Sequence, residues 1–295
     1  MKIKFTYFTI ILASLLGLFI FANKDSKTSV KEKKSLKVLY VTHSKSTKHH
    51  DYVGQRQVFE DIATKQDWDY TVLLPDSKGL VNNLAERKDL AKGYDIVVYN
   101  FCVAGSANLQ AASNIINQTK ELHVDALLIH GAMHSFFPTY SNRLNERLGE
   151  NASKDIVPVG ISEGVADAKL IAQWKASNPN EEFPVWGDFC GAASEKHSRH
   201  VPVRIHKLME HESAKSVVQD YTISKSEMYL NLYKTPNLIE ILQGTVDEET
   251  SATVLWERPY TKASVMGLSL GHFLDEWKTP EFQALLVDSV EYLTN

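Results

Sequence analysis

The chain has 295 residues, of which 43% are hydrophobic and 23% are charged, and its formal net charge is -4 at pH 7. This composition is ordinary for a soluble globular protein with one substantial core. The charge is uneven, because residues 1–36 contain seven lysines against Asp25 and Glu32 and carry +5, which leaves -9 on the remainder. An acidic globular part without a basic patch argues against nucleic acid as a partner.

The first residues have the layout of a secretory signal. Lys2 and Lys4 precede an apolar run over residues 5–21, and Ala22 is followed by polar, lysine-rich sequence. We therefore expect residues 1–22 to direct export to the periplasm or the extracellular space and residues 23–35 to form a solvated linker. The apolar run is just short of the ~20 residues that span a bilayer, so an uncleaved membrane anchor formed by residues 5–21 is the alternative.

From residue 36 the pattern alternates between strands and helices. Apolar runs predict strands at residues 37–42, 69–74, 94–100 and 125–129. Helical apolar spacing covers residues 52–64 and 107–122. Strands separated by helices of this length imply right-handed βαβ units, and therefore one α/β domain over residues 36–295 with a doubly wound, mostly parallel sheet.

Residues 138–184 interrupt this alternation. They are mostly polar, with a short apolar run at 156–159 and a helical stretch around 165–176. We interpret the segment as an insertion that covers the pocket as a lid, does not extend the sheet and contributes few core contacts. Later strands are predicted at residues 201–205, 216–223, 237–243, 253–257 and 263–270, followed by a helix at 280–293.

Several predicted strands end at a histidine. His130 and His134 follow the strand at 125–129, His272 follows the last strand, and His50 lies in the polar loop behind the first strand. Ligands bind at the carboxyl ends of the strands in open α/β sheets. We therefore expect His50, His130 and His272 to face one cavity.

The chemistry of these histidines has two interpretations. As neutral imidazoles, His50, His130 and His272 could bind a divalent transition metal, with Asp51 or Glu227 completing the coordination sphere. They could equally be proton-transfer groups or bind loop backbone, since no compact ligand motif such as His-Glu-x-x-His is found. Glu227 is a candidate general base or orienting group. No glycine-rich phosphate loop is found, so no nucleotide cofactor is expected.

Three other features have a structural and a chemical interpretation. The run Gly160-Ile161-Ser162-Glu163-Gly164 fits the Gly-x-Ser-x-Gly pattern of hydrolase nucleophiles, but its polar context favours a plain turn. Cys102 and Cys190 could form one disulfide, although we favour separate buried thiols. Most of a further group of histidines are interpreted as surface residues. These are His197, His200, His206 and His211.

The order of these motifs resembles that of the ThuA-like (trehalose utilisation) family over roughly residues 36–293. The matching segments are Lys48-His49-His50-Asp51, residues 94–98, Leu128-Ile129-His130-Gly131-Ala132, residues 186–191, Glu210-His211, Ser226-Glu227-Met228-Tyr229, Trp256 and Leu270-Gly271-His272. The resemblance implies a flavodoxin-like fold related to class I glutamine amidotransferases, with His130 where those enzymes have their nucleophilic cysteine. Because imidazole cannot form the thioester, amidotransfer is not expected.

The resemblance also implies a role in carbohydrate metabolism, with keto-sugars as substrates. We expect an enzyme that abstracts a proton beside a carbonyl, giving isomerisation or elimination of a keto-sugar or action on a glycoside. The alternative is a non-catalytic carbohydrate-binding protein on the same fold. The expected catalytic residues are His130, Glu227 and His272. The expected sugar-binding residues are His50, Asp51, His134, Trp186 and Tyr229.

Overall fold

The structure is a computed structural model that describes residues 35–76, 78–141, 155–162 and 164–295. The expected signal or anchor, and all of the linker except Ser35, lie outside the described residues. Within the described ranges, no helix is long and apolar enough to cross a membrane.

One half of a nine-stranded sheet is parallel. Its strands are β1 (Lys37–Thr42), β2 (Asp69–Leu73), β3 (Ile96–Asn100) and β4 (Asp125–Ile129), together with β13 (Ser264–Leu268), in the spatial order β2-β1-β3-β4-β13. All neighbouring pairs in this half are parallel. The apolar runs of β1, β3, β4 and β13 are buried along nearly their whole length, as expected where helices cover both faces, whereas β2 at the edge is only partly buried.

The other half of the sheet is antiparallel. It continues outward from β13 through β12 (Ser251–Pro259), β11 (Ile239–Thr245), β8 (Val201–Lys207) and β9 (Tyr221–Ser226). The strand predicted at 216–223 begins only at Tyr221. The reason is that the backbone N–H of Ser216 donates to Asp288 in the last helix, 2.7 Å away, and so takes no part in a strand ladder.

Helices lie on both faces of the sheet. They are α1 (Tyr52–Lys65), α2 (Leu80–Ala85), α3 (Leu109–Lys120), α4 (Ala168–Ser177), α5 (Trp186–Cys190), α6 (Leu274–Trp277) and α7 (Pro280–Leu293). One core contains residues of α2 and α3, and the core on the other face contains residues of α1 and α7. This arrangement leaves the carboxyl ends of the parallel strands available for a site.

The insertion forms its own small elements. Strands β5 (Ile156–Pro158) and β6 (Val165–Asp167) pair with each other, and no described residue of the insertion joins the main sheet. The expectation of few core contacts is wrong, because Val159 and Ala166 belong to the hydrophobic core and Trp174 of α4 is buried. Residues 142–154 and 163 lie outside the described residues, and coverage of the pocket stays a prediction. A second separate pair is β7 (Ala192–His197) with β10 (Tyr229–Lys234).

Candidate functional site

His130 lies in a tight turn directly after β4, with its side chain buried. Its φ is 41°, a left-handed conformation that is uncommon for a residue other than glycine. The next residue must be small, because a Cβ on Gly131 would lie 2.8 Å from the Cβ of Cys102. Strain of this kind persists where the surrounding structure imposes it, often at functional sites.

Hydrogen bonding fixes the protonation pattern of the His130 ring. Its Nδ1 lies 2.7 Å from the carbonyl oxygen of Ser269, which can only accept, so Nδ1 donates a hydrogen. In the neutral ring, Nε2 therefore keeps a lone pair. Nε2 lies 3.0 Å from Nδ1 of His272. His130 can thus accept a proton or bind a cation at this one nitrogen.

The structure brings together the three histidines that the sequence predicted at one strand edge. One nitrogen each from His50, His130 and His272 lies within 4.8 Å of the others. Oε1 of Glu227 lies 3.6 Å from Nε2 of His130 and 3.6 Å from Nδ1 of His272. Glu227 is itself only 8% exposed. The site therefore combines three imidazoles and a buried carboxylate.

Burial and mutual repulsion determine the charges of this group. Burial, aided by repulsion from His130, lowers the pKa of His50 to about 3 and that of His272 to about 4. Burial alone would raise the pKa of Glu227, but its contacts with His130, His272 and His200 hold it well below its ordinary value. At neutral pH, His50 and His272 are therefore neutral and Glu227 is ionised.

Glu227 also contacts two histidines on the outer side of the site. Its Oε2 lies 2.7 Å from Nε2 of His200 and 3.6 Å from Nδ1 of His197. Both rings are about half exposed, as expected for surface residues, but their contact with Glu227 was not predicted from the sequence. The β7–β8 turn folds against the residues after β9, because Ser198 exchanges hydrogen bonds with the backbone of Met228. The His-x-x-His spacing beside a strand end was the signal for this pair.

Aromatic rings form a wall beside the cluster. Tyr229 stacks on His134 with ring centroids 3.6 Å apart, and on His130 at 4.3 Å. Burial raises the pKa of the Tyr229 hydroxyl well above its usual value, so this group stays protonated. The two expected sugar-binding residues Tyr229 and His134 therefore both lie at the cluster.

Two other expected sugar-binding residues make structural contacts. The carboxylate of Asp51 caps helix α1 by accepting hydrogen bonds from the backbone N–H of Gly54 and the hydroxyl of Ser46. Trp186 is fully buried, and its Nε1 donates to the carbonyl of Ala132 at 3.0 Å. Asp51 thus supports the loop of His50, and Trp186 supports the turn of His130 from the side of the core.

The remaining sequence motifs do not form a nucleophile site. Ser162 lies in the turn between the antiparallel strands β5 and β6, and its hydroxyl donates to Asp188. A hydrolase nucleophile of this pattern instead connects a strand to a helix. Cys102 and Cys190 are not joined by a disulfide, and burial raises the pKa of the Cys190 thiol well above its usual value.

Glu276 is a buried residue near the site that the sequence did not indicate. It is 2% exposed. Its carboxylate accepts hydrogen bonds from the hydroxyl of Ser226 at 2.6 Å and from the backbone N–H of Phe273 at 2.9 Å, with a longer one from Gly271. Ser226 precedes Glu227, and Gly271 and Phe273 flank His272. One carboxylate thus fixes the backbone beside two residues of the cluster.

Comparison with known proteins identifies the fold. No protein-family model and no curated protein matches the sequence. A Bacteroides uniformis ATCC 8492 protein described as ThuA-like has a TM-score of 0.58 at 13% identity, covering 88% of this chain and 92% of its own. A cytoplasmic protein of Salmonella typhimurium LT2 has a TM-score of 0.51 at 13% identity, covering 88% and 97%.

A glutamine amidotransferase of Thermotoga maritima also matches, with a TM-score of 0.48 at 12% identity over 88% of this chain and 98% of its own. Similarity at such identities shows the fold alone. The predicted α/β fold is confirmed by the sheet topology and by the similarity to the ThuA-like structure.

Proposed function

We propose that this protein is a ThuA-like enzyme of carbohydrate metabolism that acts on a keto-sugar or glycoside by metal-assisted acid/base chemistry. The observation that supports this most directly is the convergence of His50, His130 and His272 with the buried carboxylate of Glu227. Neutral imidazoles next to an ionised carboxylate are a set that can bind a cation and remove a proton.

The inner histidines fit a divalent transition metal. Neutral imidazole nitrogens are common ligands of such cations. The facing nitrogens of His130 and His272 are 3.0 Å apart. The hydrogen bond from Nδ1 of His130 to the Ser269 carbonyl is also the outer support that metal-binding histidines commonly have. Bound there, a cation would polarise a carbonyl oxygen of the sugar.

Glu227 is then the proton acceptor. When the nitrogens of His130 and His272 hold a cation, they have no lone pair left for a proton, whereas Oε1 of Glu227 still faces the same space. Transfer of a proton from the carbon beside the carbonyl to Oε1 leaves an enolate. Return of the proton to the former carbonyl carbon, with the neighbouring hydroxyl proton moving to the former carbonyl oxygen, gives isomerisation. Loss of the hydroxyl group on the next carbon as water, with the proton returned by Glu227, gives elimination.

A substrate screen tests this proposal. Purified protein, stripped of metal and reloaded with Mn²⁺, Co²⁺ or Zn²⁺, is incubated with glycosides and their keto derivatives in deuterated water, and Glu227→Gln serves as the matched control. Deuterium incorporation or product formation that requires the cation and Glu227 supports the enzyme. Saturable binding of a sugar without exchange or product from any reloaded sample supports the alternative, a non-catalytic carbohydrate-binding protein.

We further propose that the chain is exported and that residues 1–22 are removed. The basic start, the apolar run and Ala22 support this. After expression of the full chain, the mass of the mature protein is expected to be that of a chain whose first residue is residue 23. An intact N-terminus in the membrane fraction would instead indicate the anchor formed by residues 5–21.

A further inference from the structure

The two oxygens of Glu227 face two different groups of histidines. Oε1 faces the inner nitrogens of His130 and His272, at 3.6 Å each. Oε2 faces the outer nitrogens of His200 and His197, at 2.7 and 3.6 Å. The outer set of His197, His200 and Glu227 has ligand atoms within 4.8 Å of one another, as the inner set does. One carboxylate is therefore shared by two possible coordination spheres.

We propose that His197, His200 and Oε2 of Glu227 form a second site for a divalent transition metal, and that its occupation inhibits the enzyme. This inference rests on the proposed function, in which Glu227 accepts the substrate proton. A cation bound to Oε2 withdraws electron density from the carboxylate, so Oε1 becomes a weaker base. The outer site thereby couples activity to the concentration of free metal.

The outer site binds more weakly than the inner site for two physical reasons. The side chains of His197 and His200 are 50% and 42% exposed, whereas His130 and His272 are almost fully buried and held in place. Nδ1 of His197 also lies 2.9 Å from the carbonyl of Ser198, and this contact must be released before that nitrogen can bind a cation. The inner site therefore fills first.

Titration of metal-free protein with Mn²⁺ tests the site without reference to any substrate. Calorimetry and electron paramagnetic resonance of wild type are expected to give two phases, of one cation each. The double variant His197→Ala, His200→Ala is expected to lose the weaker phase, by at least about tenfold in affinity, and to keep the tighter one. The control His123→Ala removes an exposed histidine just before β4, at the amino end of the strand whose carboxyl end carries His130. This variant is expected to keep both phases.

A wild type that binds only one cation, or a double variant that keeps both phases, overturns the second site. Activity then tests the inhibition. Excess Mn²⁺ is expected to lower the turnover of wild type and of His123→Ala several-fold, compared with their turnover at one equivalent of Mn²⁺. The turnover of the double variant is expected to be the same at both concentrations. If excess Mn²⁺ inhibits wild type, His123→Ala and the double variant equally, the inhibition does not depend on the outer histidines, and the role of Glu227 as the shared group is overturned. If no substrate is found, the proposed function fails while the binding phases still decide the site.

Discussion

Replacement of Glu276 should show whether this residue positions His272 and Glu227 or only stabilises the fold. Glu276 is nearly fully buried and accepts two short hydrogen bonds, from the Ser226 hydroxyl at 2.6 Å and the Phe273 backbone at 2.9 Å. Glu276→Ala leaves both donors without an acceptor and opens a cavity. Each buried donor left unpaired costs about 1–3 kcal/mol, so the free energy of unfolding should fall by about 3 kcal/mol.

Glu276→Gln should be much milder. Its amide oxygen can accept from Phe273 while its NH₂ group donates to Ser226, so the expected loss is about 1 kcal/mol near pH 4. Burial raises the pKa of Glu276 above its ordinary value. The folded wild type therefore binds more protons than the unfolded chain, and this group contributes less stability as the pH rises above about 4.3. The free energy of unfolding of the Gln variant should therefore increase relative to that of wild type as the pH rises.

Urea unfolding from pH 4 to pH 8 measures these differences, and Mn²⁺ titration of the same samples measures the inner site. The Ala variant should bind the first cation at least about tenfold more weakly, because His272 and Glu227 lose their backbone support, and the Gln variant should retain the affinity. If Glu276→Ala unfolds at the urea concentration of wild type, the hydrogen-bond argument fails. If it is destabilised but binds the cation normally, Glu276 is structural only.

Three further predictions concern the core, a buried carboxyl and the inner site. Gly267→Ala should cost about 1–3 kcal/mol in urea unfolding, because a Cβ there overlaps the indole of Trp256; wild-type stability would contradict the packing argument. Burial raises the pKa of Asp125 to about 6, so the contribution of this carboxyl to stability should fall by about 1 kcal/mol, allowing for partial solvent exposure, as the pH rises from 4 to 6, and wild type should lose this amount relative to Asp125→Asn. Asp125→Asn, which keeps an acceptor for the backbone N–H of Ser264, should lack this slope, and equal slopes would refute the assignment. Elemental analysis of protein purified without an affinity tag should find a transition metal that is lost in His130→Ala; a metal-free wild type whose activity survives a chelator would make the histidines proton-transfer or structural groups.

The sequence was sufficient for the parallel half of the sheet and for the inner histidines. Runs such as Ile96–Asn100 are apolar because both faces of a parallel strand are covered, and that pattern is local in the sequence. The carboxyl ends of parallel strands share one edge, so His130 and His272 could be placed together although 142 positions separate them. Their convergence therefore followed from topology alone.

Other features of the site depended on contacts that no local pattern encodes. Asp51 and Trp186 have residue types that suit a sugar site, but one caps a helix and the other fills the core. Val159 and Ala166 lie in a mostly polar segment and are nevertheless part of the core. A residue type limits what a side chain can do, whereas its neighbours in the fold determine which of these roles it has.

The partners of Glu227 were decided only by the tertiary structure. His200 reaches it across 27 positions through the β7–β8 turn, and Glu276 supports its neighbour Ser226 across 50 positions. Nothing in the spacing of these residues specifies which oxygen of a carboxylate faces which ring. That choice is made by side-chain packing between elements distant in sequence, because a buried charge is stable only where the whole fold supplies its hydrogen bonds.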